Sequence, residues 1–230
     1  MAKTYVWIVD TQNDFMLKGG KVYVPGAEVI IPNLKRLVQA SAKLGVRILG
    51  SADEHPPDSL EFKDWPPHCL VGTEGQRNVP GTSLASKRVG VISWKKKYSP
   101  EQFKELASRP QVILTKDAND LLDPRIPSQI QHYAQLMETL PHGSTFLLAG
   151  VATDVCVLSE ASALVKRTQE HGGEVYLVTD AVKELDKKGM RDAYERLTKE
   201  GVRFVETKEA LKVISFASMQ DTDPNNPKRF

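Results

Sequence analysis

Three polar residues stand where apolar, strand-like runs come to an end, and their types could perform acyl transfer together. "YVWIVD" closes on Asp10, "QVILTK" closes on Lys116, and "TFLLAGV" leads through a short turn into Cys156, which opens a segment of helical period. A thiol is a strong nucleophile once ionised, a state favoured by a nearby cation and by a helix N-terminus. A carboxylate can take the thiol proton and later hand it to a leaving amine. In the turn "GVATDVC" the Cys156 N–H and one amide further upstream could stabilise an oxyanion. No histidine lies near Cys156 in sequence, so a local cysteine–histidine pair is not signalled. Taken singly, each residue has an ordinary reading: a strand-end acid caps a turn, a strand-end lysine is solvated, and a small cysteine fills core. Their convergence on the ends of strands is the informative feature.

A second group lies in "DEHPPDSLEFKDWPPHC". Asp53 and His55 are two residues apart, which in extended chain directs both side chains to one side. Glu61 and His68 follow within a segment that four prolines stiffen. Two imidazoles and two carboxylates form a nitrogen-and-oxygen donor set suited to zinc, with iron or manganese as alternatives. The plain reading is a proline-rich loop that happens to be polar. Against it, two of the five histidines in the chain fall here, beside a strand-end acid.

The elements that must position these groups are legible as alternation. Short β-branched runs occur at 5–10, 46–53, 90–94, 111–116, 145–151, 174–180 and 202–207, with helical periodicity around 27–44, 127–140, 155–171 and 187–200. The first helix carries Ile31, Leu34, Leu37, Val38 and Leu44 as one apolar stripe, and Gly45, Gly172 with Gly173, and Gly201 each stand just past a helix. Strands that are apolar almost throughout, separated by helices, predict an α/β fold of three layers, α/β/α. Its centre is a mostly parallel sheet of about six strands with helices on both faces, Rossmann-like in plan. In such folds ligands bind outside the carboxyl ends of the strands, where Asp10, Asp53, Lys116 and Cys156 would collect.

Composition excludes several functions. A chain of 230 residues with 40% hydrophobic content can bury one sizeable core, and 31 basic against 29 acidic residues leave a net charge of +2. That balance gives no field to attract nucleic acid or an anionic membrane, and the basic run "WKKKY" reads as a solvated edge. No window approaches the apolar length of a membrane span or a signal peptide, so a cytoplasmic location is expected. Cys69 and Cys156 occur in such different contexts that both are expected as free thiols.

Together "VDTQNDF", "DEH", "WPPHCLVGTEG" and "GVATDVCV" resemble the isochorismatase-like cysteine hydrolases, and the metal loop resembles the nicotinamidase (pyrazinamidase) branch. The likeness runs from about residue 5 to 207. It implies a triad of Asp10, Lys116 and Cys156, a non-proline cis peptide between Val151 and Ala152 that aims backbone donors, and turnover through a thioester. "SWKKKYS" also resembles a family lysine motif, so Lys95 remains the alternative to Lys116. Lys116 is favoured because the stretch from it to Cys156 holds one helix and one strand, as alternating topology requires.

Where many nicotinamidases carry a further histidine, this chain has Asp58 and Ser59, and Glu61 resembles a variant ligand, giving Asp53, His55, Glu61 and His68. Phe15 and Trp65 match positions that sandwich a flat ring. The resemblance thus implies a metal-dependent amidohydrolase converting nicotinamide to nicotinate and ammonia in pyridine nucleotide metabolism, working as a homo-oligomer without nucleic-acid or membrane partners. Another small-amide hydrolase, or a non-enzymatic binding protein on the same fold, is the alternative. Residues 1–214 are expected to form one hydrolase domain and 215–230 a polar tail.

Overall fold

A computed structural model describes residues 2–220 of the protein. The seven apolar runs become seven strands: β1 (Thr4–Val9), β2 (Arg47–Asp53), β3 (Val89–Ile92), β4 (Gln111–Lys116), β5 (Thr145–Val151), β6 (Glu174–Lys183) and β7 (Arg203–Val205). They form one sheet in the order β3-β4-β2-β1-β5-β6-β7, and every neighbouring pair is parallel. Among the described residues the sheet thus has seven strands where about six were expected, all of them parallel. The seventh strand, β7, is three residues long and pairs along one edge of β6.

Alternation along the strands explains the three layers. In β1, Tyr5, Trp7 and Val9 belong to one hydrophobic cluster while Val6 and Ile8 belong to the other, so both faces of the strand are buried. The first cluster is completed by α3 (Pro100–Ala107), α4 (Pro127–Glu138), α5 (Cys156–His171) and α6 (Lys187–Glu200). The second is completed by α1 (Asn13–Met16), α2 (Ile31–Leu44) and α7 (Thr207–Gln220).

Helix limits follow local chemistry. α2 starts with Pro32 in its first turn and stops at Gly45, whose φ of 72° is left-handed. Its buried stripe is Leu34, Leu37 and Val38; Leu44, expected in that stripe, is exposed at the last turn. α6 is capped by Asp186, which accepts from the Lys188 and Gly189 amides, and ends at the left-handed Gly201. α3 and α7 were not foreseen. α3 opens on a reciprocal Ser99–Gln102 capping box with Pro100 at its first turn. α7 takes in residues 215–220, expected as the start of the polar tail, whose remaining residues 221–230 lie outside the described residues. Among the described residues no helix is long and apolar enough to cross a membrane.

Candidate active site

The chain lays β2, β3 and β4 on one side of β1 and then crosses to lay β5, β6 and β7 on the other. The crevice at the carboxyl ends of β1 and β5 is thus a topological switch point, the place where open parallel sheets hold ligands. Asp10 follows β1 with φ of 46°, a left-handed conformation that aspartate tolerates better than most side chains. Asp53 and Lys116 end β2 and β4 and are register partners. Cys156 is the first residue of α5, and the Val151–Ala152 peptide ahead of it is cis. Gly150, at φ 125°, has no substitute, because a Cβ there would lie 2.0 Å from Val9 O.

The structure brings Asp10, Lys116 and Cys156 together in a site closed to bulk water. Lys116 Nζ lies 2.8 Å from Asp10 Oδ2 and donates to Asp53 Oδ1, and its contact with Cys156 Sγ is 3.8 Å. Lys116 is 0% exposed, Asp10 1% and Cys156 7%. Burial works against the ammonium, but the charges of Asp10 and Asp53 outweigh it and hold Lys116 firmly protonated. Burial pushes the Cys156 thiol well up despite the opposing pull of Lys116, so the resting sulfur carries its proton. Burial also raises Asp10, with Asp53 adding to the rise and Lys116 working against it. A neutral thiol beside a carboxylate of increased basicity is an arrangement in which the proton can change hands. Lys95 is elsewhere: it is solvent-exposed, with its Nζ 5.3 Å over the Trp94 ring.

Beside this cluster, Asp53, His55, Glu61 and His68 are all buried, with one donor atom from each within 4.8 Å of the others. Each imidazole is turned by its Nδ1, that of His55 meeting Asp117 Oδ1 at 2.6 Å and that of His68 meeting Pro66 O at 2.8 Å. This leaves both Nε2 atoms facing Asp53 Oδ2, at 3.2 Å and 3.4 Å. Outer hydrogen bonds of this kind fix the tautomer of a metal-binding histidine. His55 Nε2 and Glu61 Oε2 are buried and make no hydrogen bond among the described residues. Orphaned atoms converging with two oriented imidazoles fit a divalent cation of the zinc, iron or manganese type. Burial opposes the charged form of His55, yet Asp117, Asp53 and Glu61 raise it to about 9. Burial likewise works against the Asp53 carboxylate, but Lys116 and the two histidines hold it well below the usual range.

Several participants escaped the sequence reading. Gln12 clamps the end of β2, its Nε2 donating to Asp53 O at 2.8 Å and its Oε1 accepting from Asp53 N at 2.7 Å. Asp117, next to Lys116, orients His55. Phe15 meets the His68 ring at 5.2 Å, and Phe62, unforeseen, meets both His55 and His68, at 5.3 Å and 5.9 Å. Trp65 is half-buried two residues past the turn Leu60–Lys63, its backbone N–H bonded to Glu61 O. Cys69 is fully buried, its thiol pushed far up by burial, and its backbone N–H donates to Asp14 Oδ2. In the turn before Cys156, the Thr153 N–H is taken by Lys183 O and the Val155 N–H by Ala152 O.

The isochorismatase domain model matches residues 4–108 and 134–209. The chain belongs to the isochorismatase family. Both matched segments of this isochorismatase-family chain contribute to the site, the first with Asp10 and the four candidate ligands, the second with Cys156; Lys116 lies between them. No curated protein sequence matches the chain. Solved structures of similar fold include a nicotinamidase from Bacillus subtilis, 21% identical with a TM-score of 0.64, covering 89% of this chain and 99% of that one. A pyrazinamidase of Pyrococcus horikoshii in complex with zinc is 24% identical at a TM-score of 0.61, covering 89% and 99%. An N-carbamoylsarcosine amidase from Thermoplasma acidophilum is 18% identical at 0.60, covering 89% and 96%. Likeness at these identities establishes the shared fold.

Proposed function

We propose that this protein hydrolyses nicotinamide to nicotinate and ammonia, with Cys156 as nucleophile. The observation that carries the reading is the double engagement of Asp53, which receives Lys116 on Oδ1 and faces His55 and His68 with Oδ2. The thiol cluster and the candidate metal ligands therefore belong to one site, and a planar ring held at the histidines would present its substituent to Cys156. A divalent ion held by Asp53, His55, Glu61 and His68, zinc by the chemistry of the donors, would supply a Lewis-acidic position for a pyridine nitrogen. Phe15 and Phe62 supply flat apolar surface for the ring, and half-buried Trp65 is assigned to its rim.

In this reading Asp10 takes the Cys156 proton as sulfur adds to the carboxamide carbon, and Lys116 stabilises the negative charge that gathers around them. The carbon–nitrogen bond breaks, and Asp10 returns the proton to the departing ammonia. Water then adds to the thioester, giving a proton to Asp10; the carbon–sulfur bond breaks and the thiol regains its proton, so one amide and one water become one acid and one ammonia. Ammonia release from nicotinamide, compared with a panel of small amides and paired with metal analysis of the purified protein, tests the proposal. Preference for a ring-free amide would replace nicotinamide as substrate within the same chemistry.

A further inference from the structure

Glu160 stands four residues after Cys156, one turn along α5 on the same helical face, and the reaction as described leaves it without a task. It is 1% exposed. Its Oε2 accepts from Trp7 Nε1 at 2.6 Å, while its Oε1 is buried with no hydrogen bond among the described residues. A buried orphan oxygen so near the nucleophile calls for a partner. The Ser51 hydroxyl is the candidate: it donates to Asp10 Oδ1 at 3.1 Å and is among the groups that act on the Glu160 carboxyl. Ser51 has a single proton to give. Against an ionised Glu160, two carboxylates compete for it; a neutral Glu160 is itself a donor, and the competition disappears.

We infer that Glu160 is a positioning residue for the Cys156 chemistry: its neutral carboxyl donates to Ser51 Oγ and thereby commits the Ser51 proton to Asp10 Oδ1. The inference rests on the reading of Cys156 as nucleophile and Asp10 as its proton acceptor. It gives a direction to the chain Glu160–Ser51–Asp10, which keeps the basic oxygen of Asp10 aimed at the thiol and at Lys116.

The surroundings favour the neutral form. Burial raises Glu160 to about 8, the charge of Asp10 adds to the rise, and Lys116, Ser51 and Trp7 work against it. The groups that face it are Trp7 and Asp10 from β1 and its end, Ser51 from β2, Lys116 from β4, Tyr133 from α4 and Cys156 from its own helix. Tyr133 is pushed up by its own burial and stays neutral alongside. Lys116 is already matched by Asp10 and Asp53, so it has little attraction left for a third carboxylate.

The experiment compares the parent with Glu160→Gln and Glu160→Leu. It reads kcat and KM for nicotinamide between pH 6 and 10, and the rate at which iodoacetamide alkylates Cys156, located by mass spectrometry. In the parent, kcat is expected to fall as pH rises through about 8, where Glu160 ionises. Glutamine offers an uncharged N–H donor at every pH, so Glu160→Gln keeps kcat near neutrality within about threefold and loses that alkaline fall. Glu160→Leu lowers kcat about tenfold or more with KM little changed, because the carboxylate is no longer held in line. Superimposable pH profiles of parent and Glu160→Gln, in both readouts, overturn the inference whatever Glu160→Leu does. The alkylation profile separates the two readings: a shift there without hydrolysis of any amide overturns the proposed function and leaves the positioning role standing. Should Glu160→Leu fail to fold, the glutamine profile decides alone.

Discussion

Lys116 and Asp53 form an ion pair in which neither side chain reaches solvent, at 0% and 1% exposure. The pair links the Cys156 cluster to the candidate ligand set. Asp53→Asn keeps the shape and removes the charge. It is expected to release bound metal, to cost turnover at least about tenfold through the lost link, and to destabilise the metal-free protein by up to about 3 kcal/mol as Lys116 loses one of two counter-ions. Metal content, turnover and chemical denaturation measure the three; a variant that keeps metal and activity contradicts the linkage.

The two lysines are separable. Lys116→Ala strips the cation from a buried site and is expected to lower kcat by roughly two orders of magnitude or more. Lys95→Ala, at an exposed position over Trp94, is expected to stay within about twofold of the parent, since exposed charges contribute little. The opposite ranking in steady-state assays would move the role to Lys95.

Between the cysteines the contrast is chemical. Cys156→Ala is expected to abolish ammonia release while the fold and metal content persist. Cys69→Ala removes one buried sulfur, is expected to cost about 1 kcal/mol in thermal unfolding, and leaves turnover in place. Residual turnover of Cys156→Ala near the parental rate would rule out the thioester route.

Removing the metal tests substrate orientation. Chelation is expected to suppress nicotinamide hydrolysis yet leave Cys156 reactive towards iodoacetamide, because the thiol, Asp10 and Lys116 are all supplied by the chain. Glu61→Ala should weaken metal retention with the same pattern. Benzamide, which lacks the ring nitrogen, is expected to be a far poorer substrate. Equal rates for benzamide and nicotinamide would count decisively against nicotinamide recognition.

Acid sensitivity should trace in part to His132 on α4. It is buried against Tyr98 and Phe103, at ring distances of 5.4 Å and 6.1 Å, and burial lowers its pKa. The unfolded chain therefore binds a proton more readily than the folded one, so this residue's contribution to stability is lost as pH falls through the unfolded value of about 6.5. His132→Phe is expected to flatten the stability curve between pH 7.5 and 5.5. An unchanged slope in denaturation across that range would discount the histidine.

What the sequence disclosed, and what it withheld, divides along physical lines. β4 and β5 were legible to the residue because each is an unbroken apolar run closed by a polar residue or a turn. The same property marked Asp10, Asp53, Lys116 and Cys156 as neighbours, since parallel strands bring their carboxyl ends together. α3 escaped because only Phe103 and Ala107 are fully buried, with Leu106 partly so, although its Ser99–Gln102 box was a readable start signal. α7 escaped because exposed Phe216 and Met219 blur the stripe that Ala210 and Ile214 bury. Gln12, Phe62, Asp117 and Glu160 act through partners far along the chain or through space, such as Gln12 on Asp53 and Glu160 on Trp7. No local pattern announces such contacts. All seven strands fall on runs read from the sequence, and the run at 202–207 is cut to the three residues of β7.

The central place of β1 also governs how the molecule can be made. Its two edges are satisfied by β2 and by β5, with Thr4 set against Thr145, so the strand synthesised first waits for one synthesised late. Until β5 has left the ribosome, a growing chain carries β1 with one edge open and two apolar faces only partly covered, the kind of surface on which chains aggregate. A fragment truncated at residue 143 is therefore expected to be insoluble rather than a smaller folded body. Asp10 and Cys156 come within reach of one another only when that long loop closes, and closure across such separation makes folding slow and late in synthesis.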